Sequence, residues 1–197
     1  MKPAPRRPVL LAAMALGAIT LAAYSNSFTA GFALDNQLLI PGDPRVHAAN
    51  SQSVQDILQH TYWWPNGETG LYRPLTTFSY LFNYAILGNQ ARPAGYHVIN
   101  ILLHLGNACL LFALVLRLGR RFWTAWWIAV LWAVHPVLTE SVTNIVGRAD
   151  LLAAMGVLGG FLLYLKSAET GGWRRVACLV GLAAVTAVGV FSKEARS

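Results

Sequence analysis

The stretch NIVGRADLLAAMGVLGGFLLYL, Asn144–Leu165, decides the fold class of this chain. Fifteen consecutive residues in it, Leu151–Leu165, carry no charge, and Arg148 and Asp150 stand directly before them. A helix that crosses a bilayer needs about 20 mostly apolar residues. A charge at the lip of such a helix is costly unless it reaches the interface, pairs with another charge or faces a cavity. The stretch therefore predicts a membrane-spanning helix that begins at a polar surface.

Composition extends the membrane prediction to the whole chain. Of the 197 residues, 55% are hydrophobic and 12% are charged, whereas soluble domains carry about 25% charged residues. Five apolar stretches approach the length of a membrane span. They lie at about residues 9–30, 95–116, 122–138, 145–165 and 176–191. We therefore predict one all-α membrane domain over residues 1–197, a polytopic bundle of about five transmembrane helices.

The first apolar stretch has two interpretations. Lys2, Arg6 and Arg7, followed by VLLAAMALGAITLAA, are typical of a signal peptide as well as of a span. The sequence continues as AYSNSFTAGF without a clear cleavage site, which favours an uncleaved helix. Both interpretations place the following loop outside the cytoplasm.

Charge asymmetry predicts the orientation. With a cytoplasmic N-terminus, the inner side holds nine basic residues and one acidic residue, and the outer side holds six basic and seven acidic residues. Cytoplasmic loops carry the excess of Lys and Arg, so the net charge of +7 reports topology and implies no nucleic-acid partner. We predict a multi-pass membrane protein whose N-terminus is cytoplasmic and whose long loop, residues 31–94, is extracytoplasmic.

A further uncharged segment, PLTTFSYLFNYAILG, covers Pro74–Gly88. It is short and polar for a span, since it contains Thr76, Thr77, Ser79 and Asn83. If it crossed the membrane, the basic loops that follow would fall outside and the charge bias would be lost. The segment is therefore predicted to be an interfacial or re-entrant helix on the outer face.

Charged residues collect on the predicted outer face. Asp35 follows the first span, where it is either a solvated loop residue or a general base for a hydroxyl nucleophile. Arg148 and Asp150 either snorkel to the interface, or satisfy the first helical turn as a charge pair, or line a site for an anionic headgroup. In the last case Arg148 would bind the phosphate through its fork of donors. Glu140 is a candidate partner for Arg148. Arg73 is the last residue of the segment 31–73, which holds most of the charged residues of the outer loop.

The second span carries a polar stripe. His97, Asn100, His104 and Asn107 are spaced three, four and three residues apart, so they project from one helical face. Lipid cannot solvate such a stripe, so it faces other helices or a cavity. His104 and Asn107 lie deeper and are predicted to bond between helices. His97 and Asn100 lie nearer the outer surface and are candidates for ligand contact, and no spacing typical of a metal site accompanies them.

Five sequence blocks occur in an order that matches a known pattern. They are YSNSFTAGFALDN, YRPLTTFSYLFNYAILG, GYHVINILLHLGNACLLF, HPVLTESVTNIVGRADLLAA and FSKE. Together they resemble the transmembrane and tetratricopeptide-repeat-containing O-mannosyltransferase-like family, part of the GT-C superfamily of polyprenyl-phosphate-sugar-dependent glycosyltransferases. The fourth block is specific to this family. A single aspartate such as Asp35 is not specific to it.

The resemblance implies a glycosyltransferase that moves a sugar, typically mannose, from a polyprenyl-phosphate carrier to a Ser or Thr hydroxyl of a protein. Its active face would be the extracytoplasmic side of the inner or plasma membrane. Asp35 matches the first acidic position of the family's loop motif, the presumed catalytic base, and Asn36 stands where the family usually has a second acidic residue. The residues expected to bind the donor phosphate or line the site are Arg73, His97, Asn100, Glu140, Arg148 and Asp150. The implied partners are membrane lipid, the lipid-linked donor and a protein acceptor.

The resemblance runs from about Tyr24 to Glu194 and covers the N-terminal half of the family's membrane domain, which predicts a partial GT-C-like fold. The family continues through further spans and tetratricopeptide repeats, and the sequence contains no such helical repeat of about 34 residues. A missing C-terminal half is therefore a further expected partner. Two functions stay open: an active transferase, and a non-catalytic membrane scaffold or inactive fragment. Proton-coupled transport is disfavoured because no charge lies deep in a span.

Overall fold

The computed structural model describes residues 6–67, 70–193 and 195–196. This part of the chain contains nine α-helices. They are α1 (Arg6–Tyr24), α2 (Asp35–Leu39), α3 (Ser51–Gln59), α4 (Pro74–Leu81), α5 (Pro93–Arg117), α6 (Phe122–Ala133), α7 (Thr139–Thr143), α8 (Arg148–Ala168) and α9 (Gly172–Lys193). Two short strands, β1 (Leu71–Tyr72) and β2 (Ala195–Arg196), pair antiparallel.

Four helical segments are long and apolar enough to cross a membrane: Arg7–Thr29, Pro93–Arg117, Ile145–Ala168 and Gly172–Lys193. A fifth candidate is a broken span, Phe122–Ala133 with Pro136–Thr143, whose two parts meet at 49°. Proline lacks the backbone donor that a continuous helix needs, which explains the break. The structure thus confirms the predicted all-α polytopic bundle.

Helix α5 forms the centre of the bundle and packs against α1, α6 and α8. The deeper residues of its polar stripe bond between helices, as the sequence predicts. His104 Nε2 lies 2.8 Å from the Ala133 carbonyl of α6, and Asn107 Nδ2 donates to the Leu151 carbonyl of α8 at 2.8 Å. Because lipid offers no competing partners, such bonds orient neighbouring helices.

Residues 31–67 and 70–92 fold back over one end of the bundle, and we call them the cap. The cap contains α2, α3 and α4, and α4 continues into a π-helical turn at Phe82–Ile86. Helix α4 has eight residues, too few to cross a bilayer. The apolar core of the cap also takes in bundle residues from α5 and the turn before α8. Its buried members are Leu39, Ile40, Val46, Ile57, Tyr62, Tyr80, Leu81, Tyr96 and Ile145.

An ion pair inside the cap fixes its central loop. The carboxylate of Asp43 binds the Arg45 guanidinium at 2.8 Å, and both side chains are only 1% exposed. The remaining donors of Arg45 reach the carbonyl groups of Thr61, Tyr62 and Trp64. Since every charged atom has a partner, this buried pair specifies how the two halves of the loop meet.

Candidate active site at the cap

Arg148 lies at the centre of the site, at the first position of α8, and its side chain is completely buried. Its Nε donates to Asn100 Oδ1 at 2.9 Å. Its Nη1 donates to Asn83 Oδ1 at 2.6 Å and to the Ser79 carbonyl at 3.0 Å, and its Nη2 donates to the Tyr96 carbonyl at 3.2 Å. One guanidinium therefore joins α4, the π-helical turn, α5 and α8.

Aromatic rings complete the enclosure of Arg148. The guanidinium carbon lies 5.2 Å from the ring centre of Tyr80 and 5.7 Å from that of Tyr96. None of the ion pairs in the described ranges includes Arg148, and Glu140 is exposed. The predicted Arg148–Glu140 pair is not formed, because oxygens inside the fold already satisfy the guanidinium. At 0% exposure, Arg148 is also out of reach of a lipid phosphate in this structure.

Asn100 and His97 hold the cap end of the bundle together. Asn100 is fully buried, and its Nδ2 faces the carbonyl groups of Val142, Asn144 and Ile145 at 3.2–3.3 Å. His97 is 1% exposed, and its Nε2 lies 3.2 Å from the Ala30 carbonyl. Both residues, considered candidates for ligand contact, here contact backbone groups of the protein instead.

Asp35 is exposed in the first turn of α2. Its neighbour Asn36 is buried, and Asn36 Oδ1 accepts a hydrogen bond from the Val146 backbone N–H at 3.0 Å. Val146 belongs to the turn Ile145–Gly147 that leads into Arg148. This bond holds the start of α2 against that turn, so the Asp35 carboxylate stays at the surface beside the start of α8.

A charged cluster, formed by Arg73, Asp150 and Lys193, lies on the same end of the molecule. The Lys193 ammonium pairs with Asp150, and each of the two side chains is 39% exposed. Asp150 Oδ2 also accepts a hydrogen bond from the Ser141 hydroxyl at 3.3 Å. Arg73 Nε donates to the Lys193 carbonyl at 2.9 Å. Two cations and one carboxylate therefore meet where a ligand can approach them.

Two buried tyrosines support the charged cluster from below. The hydroxyl groups of Tyr62 and Tyr80 lie 3.3 Å apart, and the Arg73 guanidinium covers the Tyr62 ring at 5.0 Å. Burial and the neighbouring Tyr80 raise the pKa of Tyr62 well above its ordinary value, and Arg73 opposes part of that rise. Burial likewise raises the pKa of Tyr80, against the pull of Arg148. Both hydroxyls are therefore neutral at physiological pH.

Comparison of the sequence with known proteins shows the family of the chain. Human protein O-mannosyl-transferase TMTC2 is 35% identical over 173 residues, which cover 83% of this chain and 20% of the relative. Human TMTC4 is 33% identical over 177 residues, with 81% and 24% covered. Drosophila melanogaster Tmtc2 is 34% identical over 180 residues, with 87% and 19% covered. The chain belongs to this family.

The family is the one indicated by the sequence blocks, so that prediction is confirmed. The chain spans about a fifth of the length of the protein O-mannosyl-transferases that it matches. No protein-family profile and no solved structure matches it.

Lys193 belongs to the charged cluster but is not among the site residues predicted from the sequence. More than forty positions separate it from Asp150, so local spacing gives no sign of their contact. The FSKE block, in which Lys193 stands, was the available signal. Among the described residues, no cluster of three or more His, Cys, Asp or Glu side chains could hold a metal ion.

Proposed function

We propose that this chain carries the reaction face of a protein O-mannosyl-transferase. The reaction moves mannose from a polyprenyl-phosphate carrier to a Ser or Thr hydroxyl of a protein on the extracytoplasmic side of the inner or plasma membrane. The main support is the exposed Asp35 beside the turn into Arg148, held there by the Asn36–Val146 hydrogen bond. The relatives' name, protein O-mannosyl-transferase, supplies the chemistry.

Asp35 is the general base of the proposed reaction. The acceptor hydroxyl gives its proton to the Asp35 carboxylate while its oxygen forms a bond to the anomeric carbon of mannose. The bond between that carbon and the phosphate oxygen breaks, and the electron pair leaves with the polyprenyl phosphate. A carboxylate that is exposed yet fixed to the bundle end suits this task, because it can meet a large polypeptide acceptor.

Arg73 and Lys193 stabilise the leaving phosphate. Both are only partly buried, and Arg73 is bonded to the backbone of Lys193, so the two cations are held as one unit. Charges fixed in advance near a developing phosphate anion lower the barrier without rearranging in the transition state. Asp150 orients the Lys193 ammonium, and exposed Glu140 on α7 remains a candidate contact for substrate.

Arg148, Asn100 and His97 act as positioning residues in this proposal. They contact neither donor nor acceptor, but they fix the turn Ile145–Gly147, the π-helical turn and the start of the cap relative to one another. The base on α2 and the cations on the other side of the site depend on that shared support.

The test is an Asp35→Asn variant in membranes that contain the protein, with transfer of labelled mannose from polyprenyl-phosphate mannose to an acceptor peptide as the readout. We expect transfer to fall about 100-fold or more, as for the loss of a general base. Asp56→Asn is the matched control, since Asp56 lies on α3 of the same cap and its carboxylate accepts a hydrogen bond from the Gln52 side chain. Unchanged transfer by Asp35→Asn would remove Asp35 from catalysis.

A non-catalytic membrane scaffold is the second candidate. The observation that favours it is Asn36, which stands at the family's usual second acidic position and is used for the bond to Val146. In that case the unmodified protein transfers no mannose under conditions in which a family member does, and both variants match it.

A further inference from the structure

A pocket of about 460 Å³ lies at the end of the bundle opposite the cap, where α8 ends and α9 begins. The Arg117–Glu169 hydrogen bond of 2.5 Å shows that the last turn of α5 reaches the same end. The pocket is lined mainly by Leu163, Lys166, Thr170, Trp173, Arg174 and Cys178. It therefore combines two cations, one large aromatic ring and an apolar wall.

The two cations of this pocket lack a counter-charge. Lys166 and Arg174 are exposed, and neither takes part in any ion pair within the described ranges. Glu169, three residues after Lys166, is already paired with Arg117. Two unneutralised cations beside one concave surface attract an anion, and a fork of guanidinium donors suits a phosphate group.

The apolar wall of the pocket is formed by the facing ends of α8 and α9. Leu163 of α8 and Ala177 and Cys178 of α9 line it. Both helices are candidate membrane spans, so this wall stands where the apolar length of the two helices begins. The pocket thus leads from the charged rim towards the apolar part of the bundle.

Trp173 marks the level of the membrane surface at this pocket. Its side chain is 77% exposed although it is large and apolar. Tryptophan is enriched at the boundary between headgroups and acyl chains, where its N–H meets polar groups and its ring meets lipid. A charged rim, an interfacial tryptophan and an apolar wall in this order match the order of groups along a phospholipid.

We propose that this pocket binds an anionic phospholipid, with the headgroup phosphate between Lys166 and Arg174 and the start of an acyl chain against the apolar wall of Leu163, Ala177 and Cys178. The site is separate from the proposed reaction centre, because it lies at the other end of α8. The ligand is distinguished from a free phosphate by the apolar wall, and from a zwitterionic lipid by the two uncompensated cations.

The test compares two double variants of the purified full chain, Lys166→Gln with Arg174→Gln and, as control, Arg120→Gln with Arg121→Gln. The control removes the same charge from exposed residues at the same end, in the turn between α5 and α6. Native mass spectrometry measures the phosphatidylglycerol or phosphatidylcholine retained after the protein is mixed with detergent micelles that contain one of the two lipids. We expect the pocket variant to lose phosphatidylglycerol binding about 10–30-fold and the control to keep it.

Three outcomes would overturn the proposal. Equal retention of the two lipids by the unmodified chain would show that the pocket does not distinguish an anionic lipid from a zwitterionic one. Equal losses in the two double variants would reduce the effect to general surface charge. Displacement of phosphatidylglycerol by millimolar inorganic phosphate would assign the pocket to a free anion. Retention that withstands phosphate and is lost only in the pocket variant supports the lipid site.

Discussion

Arg148 is a buried cation balanced by dipoles and aromatic faces. Its partners are amide oxygens of Asn83 and Asn100, backbone carbonyls and two tyrosine rings. Burying a charge is costly unless all of its donors are satisfied. The planar guanidinium directs donors to several partners at once, which a single ammonium on a flexible stem cannot do. The geometry of the cluster therefore specifies arginine at this position.

Arg148→Lys is expected to lower the free energy of unfolding by about 2–4 kcal/mol, because the charge is kept while several charged hydrogen bonds are lost. Thermal unfolding in detergent, followed by tryptophan fluorescence, measures the change. Arg92→Lys is the matched control, since Arg92 is exposed just before α5. Equal unfolding midpoints for the two variants would contradict the role of Arg148 as a structural centre.

Some of these side-chain contacts could be predicted from the sequence. The three- and four-residue spacing of polar residues on α5 predicts the interhelical bonds of His104 and Asn107, because one helix fixes that pattern. The partners of Arg148 could not be predicted in the same way. Asn83 lies 65 positions away, and its contact with Arg148 depends on how the whole cap folds back. Only long-range packing decides whether such a charge meets solvent or neutral oxygens.

At the scale of single helices, α8 and α9 form a hairpin in which their backbones lie in close contact. A Cβ on Gly156 would lie 2.6 Å from the Val185 carbonyl oxygen and 2.9 Å from the Gly189 Cα. Transmembrane helices gain stability by such close approach, since burial from water does not drive their association within lipid. Gly159, on the same helix, would meet only a Val185 methyl group at 4.0 Å.

Gly156→Ala is therefore expected to destabilise the hairpin by about 1–3 kcal/mol, as overpacking of a rigid contact does. Gly159→Ala provides the control and should leave stability unchanged or slightly higher, because alanine is the better helix former. The readout is the midpoint of thermal aggregation in detergent for each variant. If both alanines behave alike, the close contact at Gly156 does not contribute to stability.

Local chemistry made several elements predictable. Proline in the His135–Pro136 pair predicts a helix end or kink, and the structure breaks the span between Ala133 and Pro136. The polar content of Pro74–Gly88 excludes a span, and α4 is indeed short. The π-helical turn that follows was not predictable, because it depends on Asn83 bonding to Arg148 and to the Gly95 carbonyl.

At the scale of the whole molecule, the two ends of the bundle differ in charge and in structure. The cap covers one end, and the turns at the other end are rich in basic residues. The positive-inside rule predicts that the basic end faces the cytoplasm. This orientation can be predicted from the uneven distribution of Lys and Arg alone. The fold of the cap could not be predicted from the sequence, because it depends on contacts among distant segments.

Reporter fusions test that orientation. A fusion after Pro93 is expected to report from the extracytoplasmic side and a fusion after Arg121 from the cytoplasm, because α5 crosses between the two points. Alkaline phosphatase, active only outside the cytoplasm, and a cytoplasm-active fluorescent protein give complementary signals. Signals from one compartment for both fusions would contradict the predicted crossing, and exchanged compartments would reverse the assigned faces.

The cap and the last helix are joined by bonds between early and late parts of the chain. Thr76 donates to the Ser192 carbonyl at 2.7 Å, and Arg73 reaches the Lys193 carbonyl 120 positions further on. A ribosome adding about 5–20 residues each second would leave the nascent cap without these acceptors for roughly 6–24 s. During biosynthesis, therefore, the cap has to wait for α9 before these two bonds can form. The completion of the cap depends on the folding of a helix made much later, and not on the synthesis of the cap alone.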